Sequence, residues 1–513
     1  MPSASAPFVK PCDRQWRSRC IPHQESPVLS KSLTNLLPNP QFNNPGLWKP
    51  DCRIAVTGFT RSGKTVFLTS LISHLLHHEP ERFHLGPNLH IVKPESLPPT
   101  KGWSQFPYME NRRFLAGNHA GKPEWPEKTR FPSQYRLEFE RSDWRLSRMR
   151  LTLYDLPGER FADCAMYRQG FQRWSLQQIQ WLTGLNQQPP ELDGFLSLVA
   201  SDAPPLPTAD QLIFSYKKAL AALYRGYHQF ITPSTFVLSA AGENPHVADL
   251  FAGAIAAGDF ETIATGRCSG LPEAEFTPLP QHLFGQPGEL VGQFEARFQR
   301  YQREIVEPLF RTLARCDAMA VLLDLAHILQ GGEGVCDDAE TFVKQILNAV
   351  QPGRRYDQIG RGWLPNRDLR GQSITRVAFA ASQIDRFHDQ DHARVRHLLS
   401  ELVRPVFHAY RGAKTKVFSC SAVCSAVSDE AADILYPKLM EEMLGETYRG
   451  NAIRVARVPD WKQWPSSWDP KELFLDRGGF PRLPAQMPQR RNAVPDHLCL
   501  DDVFRFLLDW CER

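Results

Sequence analysis

The chain has 513 residues, of which 42% are hydrophobic and 23% charged, a globular balance too apolar for a disordered polymer. A formal net charge of +4 is weak for that length and gives no basis for direct nucleic-acid binding. The 11 cysteines include no Cys-x-x-Cys pair, which argues against a disulfide framework or a zinc cage and for a reducing, cytoplasmic compartment. The N-terminus carries no apolar signal core, and no stretch reaches the roughly 18 apolar residues of a membrane span.

Residues 1–48, rich in Pro, Ser and Asn, read as a poorly ordered arm. Over 49–160 an α/β pattern begins. Arg53-Ile54-Ala55-Val56-Thr57 reads as a buried strand, and after a glycine-bounded loop Val66, Phe67, Leu68, Leu71, Ile72, Leu75 and Leu76 mark the apolar side of a helix. Tyr135, Leu137 and Phe139 alternate with charged residues, Arg141-Ser142-Asp143 makes a turn, and Leu151, Leu153 and Tyr154 continue a hairpin that delivers Asp155 at its end.

From 161 to 315 the strand signals vanish. Ile213, Tyr216, Leu220, Leu223 and Tyr227 share one helical face, as do Val291, Phe294, Phe298, Tyr301 and Ile305, and Pro308 should kink or end the second helix. With breaks such as Gly285-Gln286-Pro287-Gly288, the segment reads as a helical insertion. The α/β rhythm resumes over 316–430 with a strand at Ala320 to Asp324, a helix around Phe342, Ile346, Leu347 and Val350, and strands at Val377 to Ala381 and Thr415 to Cys420. The Pro- and Trp-rich part 431–513 should pack on this core and close with an amphipathic helix (Val503, Phe504, Leu507, Leu508) capped by Asp501. The order predicts an α/β fold, a doubly wound sheet interrupted by a large helical insertion.

Gly58-Phe59-Thr60-Arg61-Ser62-Gly63-Lys64-Thr65 fits G-x-x-x-x-G-K-[ST] at every fixed position, with a strand before it and a helix after it. The glycines let backbone N–H groups turn inward around a phosphate, Lys64 supplies charge between the β- and γ-phosphates, and the Thr65 hydroxyl suits Mg²⁺. The helix opening at Lys64, Thr65 and Val66 aims its positive end at the anion. Arg61 is a candidate internal arginine finger, an exposed loop arginine being the plainer alternative.

Asp155-Leu156-Pro157-Gly158 is the second element: a strand-end carboxylate that can hold Mg²⁺ through water, then a glycine whose N–H can meet the γ-phosphate. Glu159 follows, where a side chain could orient water or act as a base, although its charge opposes the γ-phosphate. Thr129 lies between loop and hairpin, where a switch threonine would reach Mg²⁺; an ordinary loop threonine is the alternative. Asp324 competes as a strand-end acid but lacks the glycine, which favours a structural role.

Ser382-Gln383-Ile384-Asp385 follows one apolar strand and Ser421-Ala422 follows another, the places where GTPases keep [NT]-K-x-D and S-A-x. A carboxylate at Asp385 would read guanine by accepting from N1–H and N2–H₂, a donor pair adenine lacks. The strings from Ile54 to Thr69, from Asp155 to Glu159, from Phe379 to Asp385 and from Pro495 to Leu508 together resemble the YcjX-like family of GTP-binding P-loop proteins, long catalogued as predicted ATPases. The resemblance implies a GTPase-like P-loop NTPase core with a helical insertion, in a bacterial cytoplasmic protein linked to stress responses. It also implies a companion inner-membrane protein. Carried over by position, Lys64 and Thr65 bind phosphate and Mg²⁺, Asp155 and Gly158 form the second switch, and Asp385 reads the base. Gln383 stands where the pattern has lysine, so ATP is possible beside GTP or GDP.

His74 and His78, like His388 and His392, have a four-residue spacing used by metal sites, but no carboxylate completes either set and a polar helix end is the expected reading. The tryptophans near Trp461, Trp464 and Trp468 fit packing of the tail as well as a partner surface.

Overall fold

In the computed structural model Asp51–Gly58 forms strand β1, and its alternation sets the architecture. Cys52, Ile54 and Val56 belong to one apolar cluster and Ala55 to another, so the strand is covered on both faces. The structure describes residues 51–508 except 60–61, 87–88, 118–123, 127–131, 143–147, 168, 186–187, 201–206, 227–230, 238–244, 267–274, 286–288, 332, 351–373, 408–412, 430–431, 442–445, 450, 460–478, 486 and 489–492.

After β1 come α1 (Lys64–Leu76), β2 (Ile91–Leu97), β3 (Ser104–Gln105), α2 (Tyr108–Ala116), β4 (Ser133–Arg141) and β5 (Arg148–Asp155). Seven helices follow without an intervening described strand: α3 (Phe171–Thr183), α4 (Pro190–Val199), α5 (Ala209–Arg225), α6 (Pro245–Ala257), α7 (Phe260–Thr265), α8 (Glu289–Tyr301) and α9 (Glu307–Ala314). The sheet is then completed by β6 (Ala318–Leu323), β7 (Arg376–Ala381) and β8 (Lys414–Ser419), with α10 (Leu325–Gly331), α11 (Glu333–Val350) and α12 (His392–Phe407) between them. A small antiparallel sheet of β9 (Ala426–Ser428), β10 (Ile434–Glu441), β11 (Glu446–Arg449) and β12 (Ile453–Arg454) precedes the final helix α13 (Leu500–Leu508).

The main sheet runs β2-β4-β5-β1-β6-β7-β8, with β3 beside β4. Strands β5, β1, β6, β7 and β8 are mutually parallel, and β4 and β2 are antiparallel additions at one edge. This is the expected doubly wound P-loop NTPase-like fold, with two strands more on that edge than a purely parallel sheet would have. Alternation again splits the faces: Ala318, Ala320 and Leu322 join the cluster of α1 and α13, while Met319, Val321 and Leu323 join that of α11, α12 and the helical segment. Leu500, Val503, Phe504 and Leu507 of α13 are fully buried against the first face. Each such side chain contributes about 1.5–3 kcal/mol of apolar burial.

One local expectation is narrowed in the structure and two change. Pro308 falls in the first turn of α9, and the preceding residues Gln302–Val306 widen into a π turn, so the helix is interrupted rather than ended. Asp501 is inside the first turn of α13, where its carboxylate accepts from the Asp502 and His84 N–H groups instead of capping from outside. His74 is no polar helix end: it is wholly buried, stacked 4.8 Å from Phe83 and edge-on to His497. His388 is also buried and bonds the Asp429 carbonyl at 2.7 Å. Tyr227, Asp143, Gln286-Pro287-Gly288 and Trp461, Trp464 and Trp468 lie outside the described residues. Among the described residues no helix is long and apolar enough to cross a membrane.

Candidate functional site

The carboxyl ends of the parallel strands converge on one place because register fixes their lengths: Val56 lies opposite Asp155, and Gly58 opposite Leu322. Gly58, at φ 148°, abuts β6 so closely that a Cβ there would meet the Leu322 carbonyl oxygen at 2.1 Å. The chain then turns through Phe59, Ser62 and Gly63 into α1. The Ser62 N–H bonds the Phe59 carbonyl at 3.2 Å, and the Ser62 side chain is buried. Lys64 folds back over the loop, donating to the carbonyls of Phe59 at 2.7 Å and Gly58 at 3.2 Å. A buried ammonium that donates to carbonyls at the loop gains from an anion nearby.

Gly158 sits on top of this loop. A Cβ at Gly158 would lie 2.4 Å from the Gly58 oxygen and 2.6 Å from Lys64 Nζ, so the segment after β5 touches the loop only because the side chain is absent. Glu159 follows in the 3₁₀ segment Gly158–Met166. Thr60, Arg61 and Thr129 lie outside the described residues. Thr65 and Asp155 are hard oxygen donors, one in the first turn of α1 and one at the end of β5, and this donor chemistry fits Mg²⁺.

A cavity of about 370 Å³ opens beside the loop. Gly63, Lys64, Thr65, Val66 and Gly158 line one end; Ser382, Gln383, Asp385, Ser421 and Ala422 line the other. The structure thus brings together most of the residues singled out by sequence. At the second end Gln383 adopts a left-handed conformation, φ 56°, and its amide nitrogen is 3.7 Å from where a Gly63 Cβ would stand. Asp385 is held on both oxygens: the Ser421 hydroxyl donates to Oδ1, and the Ser425 N–H donates to Oδ2 at 2.8 Å. Burial pushes its carboxyl above the usual carboxylate range, and the two donors oppose that rise. A carboxylate has about four lone-pair sites, so it can accept more than these two bonds. The Cys420 thiol, also lining the cavity, is pushed up by burial and stays protonated.

The sequence reading missed the remaining walls. Trp125 and Pro126 line the cavity, as do Arg482 and Leu483 from the segment before α13. The Trp125 indole N–H donates to the Leu483 carbonyl at 3.0 Å. Arg386 donates to the Phe480 and Pro481 carbonyls, both at 2.9 Å, and grips both oxygens of Asp324 at 3.0 and 3.2 Å. Asp324 also accepts from the His327 N–H at the start of α10. It therefore has a structural task, as expected for the competing strand-end acid.

Comparison with known proteins agrees with this arrangement. A protein named Ras-like GTPase YcjX from Escherichia coli (strain K12) is 26% identical over 498 residues, spanning 89% of this chain and 95% of that one. A protein of the same name from Shewanella oneidensis is 24% identical over 500 residues, spanning 89% and 93%. The model of the YcjX-like family, DUF463, matches residues 52–252 and 255–510, nearly the whole described fold, and the chain belongs to that family.

Proposed function

We propose that the chain is a Mg²⁺-dependent GTPase that works as a regulatory switch. The observation that carries this reading is the single cavity with a lysine-bearing glycine loop at one end and a doubly anchored carboxylate at the other. The distance between a phosphate cradle and a base-reading acid is then filled by one nucleoside. Names of the relatives, both Ras-like GTPases, support the same class.

In this reading Lys64 releases the Phe59 and Gly58 carbonyls and turns to the β- and γ-phosphates. Thr65 and Asp155 would hold Mg²⁺, which neutralises charge on the phosphate oxygens when bound. Gly158 presents backbone to the γ-phosphate, and Glu159 or Thr129 orients the attacking water. Asp385 accepts the two guanine donors while Ser421 and Ser425 fix its plane. Loss of the γ-phosphate would free the Gly158 segment and pass a change to the helices behind it. A companion inner-membrane protein belongs to the same proposal.

The test is binding and turnover in the full chain. Purified protein should bind fluorescent GDP with Mg²⁺, release phosphate from GTP, and lose both with Lys64→Ala. Displacement of the probe by ATP as effectively as by GDP would transfer the activity to an ATPase, the outcome that Gln383 makes chemically accessible. Tight binding without phosphate release over hours would reduce the protein to a nucleotide-gated binding module.

A further inference from the structure

Resting on that reading, the structure supplies a nucleotide contact from far along the chain. The segment Gly479–Met487 carries no helix or strand among its described residues, yet it is pinned at three places. Arg386, next to the base-reading Asp385, binds the carbonyls of Phe480 and Pro481, and Phe480 packs on Phe387 with ring centroids 4.6 Å apart. Trp125 binds the carbonyl of Leu483. Ala485 and Met487 enter an apolar cluster with Leu115 and Ala116, against which Val66 of the first turn of α1 packs. The segment therefore runs from the base end of the cavity to the turn that follows Lys64 and Thr65.

Arg482 lies between those anchors, and its exposed side chain lines the cavity. The segment that carries it is anchored near Asp385 at one end and near Val66 at the other, and between those points a bound nucleotide holds its ribose and innermost phosphate. We infer that Arg482 binds the α-phosphate of the nucleotide. A guanidinium presents a planar pair of N–H donors that matches two non-bridging phosphate oxygens. Arg386 cannot take this part, because its fork is committed to Asp324 and to the segment's carbonyls. Trp125 acts as a positioning residue: its N–H holds the carbonyl of Leu483, the residue after Arg482.

The experiment compares full-length wild type with Arg482→Gln and Arg482→Lys, by displacement of fluorescent GDP with GDP and with guanosine. A charged hydrogen bond lost on Arg482→Gln should weaken GDP roughly 10-fold or more and quicken its release. Guanosine, which has no phosphate, should bind wild type and Arg482→Gln equally, and Arg482→Lys should recover part of the GDP affinity. If wild type binds GDP and Arg482→Gln matches it, or loses guanosine and GDP alike, the α-phosphate contact is refuted and the proposed function stands. Wild type that binds no purine nucleotide overturns the proposed function and this inference together.

Discussion

His74 gives the sharpest quantitative expectation, because its environment forbids a proton that the unfolded chain accepts. The ring lies deep between α1 and the segment leading into α13, stacked on Phe83 and edge-on to His497. Burial, assisted by the charges of His497 and Arg82, lowers its pKa from 6.5 to about 2. Between those values the unfolded state binds a proton that the folded state refuses, so the stability is fully present above pH 6.5 and drains away as pH falls. Well below pH 6.5 the loss is about 1.4 kcal/mol per pH unit, which integrates to about 2 kcal/mol between pH 7 and pH 5. His74→Phe keeps a flat ring against Phe83 and removes the titration. Urea unfolding of both proteins at pH 7 and pH 5 should show wild type losing about 2 kcal/mol more than the variant on acidification. His497 is also held below its usual range by burial, and its contribution persists in both proteins. Parallel losses in wild type and variant would refute the reasoning.

Gly158→Ala should lower affinity for a non-hydrolysable GTP analogue by at least 10-fold with little change in melting temperature, since the new methyl would drive the segment off the Gly58 carbonyl and Lys64; calorimetry of analogue binding checks it, and unchanged affinity refutes it. Asp385→Asn should exchange guanine for xanthine preference, because the amide offers one acceptor and one donor where the carboxylate offers two acceptors. For wild type, GDP affinity should fall as acid protonates Asp385, and the fall should begin above the ordinary carboxylate range because burial raises that group. Asp163→Ala should cost about 3–5 kcal/mol, because the carboxylate accepts from the Ser234 N–H, the Ser234 and Tyr301 hydroxyls at 2.8 Å and the Thr232 hydroxyl at 3.1 Å, all buried. Proteolysis of the α3–α9 region checks the last of these, and wild-type resistance in the variant refutes it.

The centre of the fold was legible because its signals are local. An apolar run before a glycine-bounded loop, and alternation on Tyr135, Leu137 and Phe139, fix β1, α1 and the β4–β5 hairpin within a few residues each. Strand β2 was not legible: Pro94 and the charges beside it in Ile91-Val92-Lys93-Pro94-Glu95 obscure any strand alternation, and an edge position with an irregular register between Val92 and Glu95 tolerates them. His74 was misjudged because helical spacing does not reveal what packs on the helix, here a segment more than four hundred residues later. Both ends of the cavity followed from motifs, whereas its outer wall did not. Trp125, Arg386 and the 479–487 segment meet through side-chain contacts to distant backbone carbonyls, which leave no periodicity in the sequence.

Two mechanical paths leave the cavity, and they differ in what they can sense. The phosphate end passes through Gly158 into the 3₁₀ segment Gly158–Met166, whose Asp163 is bolted to Thr232, Ser234 and Tyr301 in the helical region. The base end passes through Arg386, Ser421 and Leu498 toward α13, with Ser421 and Leu498 exchanging backbone bonds at 3.0 and 2.8 Å. GTP and GDP present the same base, ribose and α-phosphate, so only the first path meets a difference between them. A ligand moves an equilibrium by no more than its differential contacts. On the proposed reading, hydrogen exchange should therefore distinguish a non-hydrolysable GTP analogue from GDP at 158–166 and around Ser234 and Tyr301. The same comparison should leave 479–508 alike in both states while protecting it relative to nucleotide-free protein. Equal exchange at 158–166 with both nucleotides would break the link between the γ-phosphate and the helices, and a difference confined to 479–508 would reverse the assignment of the two paths.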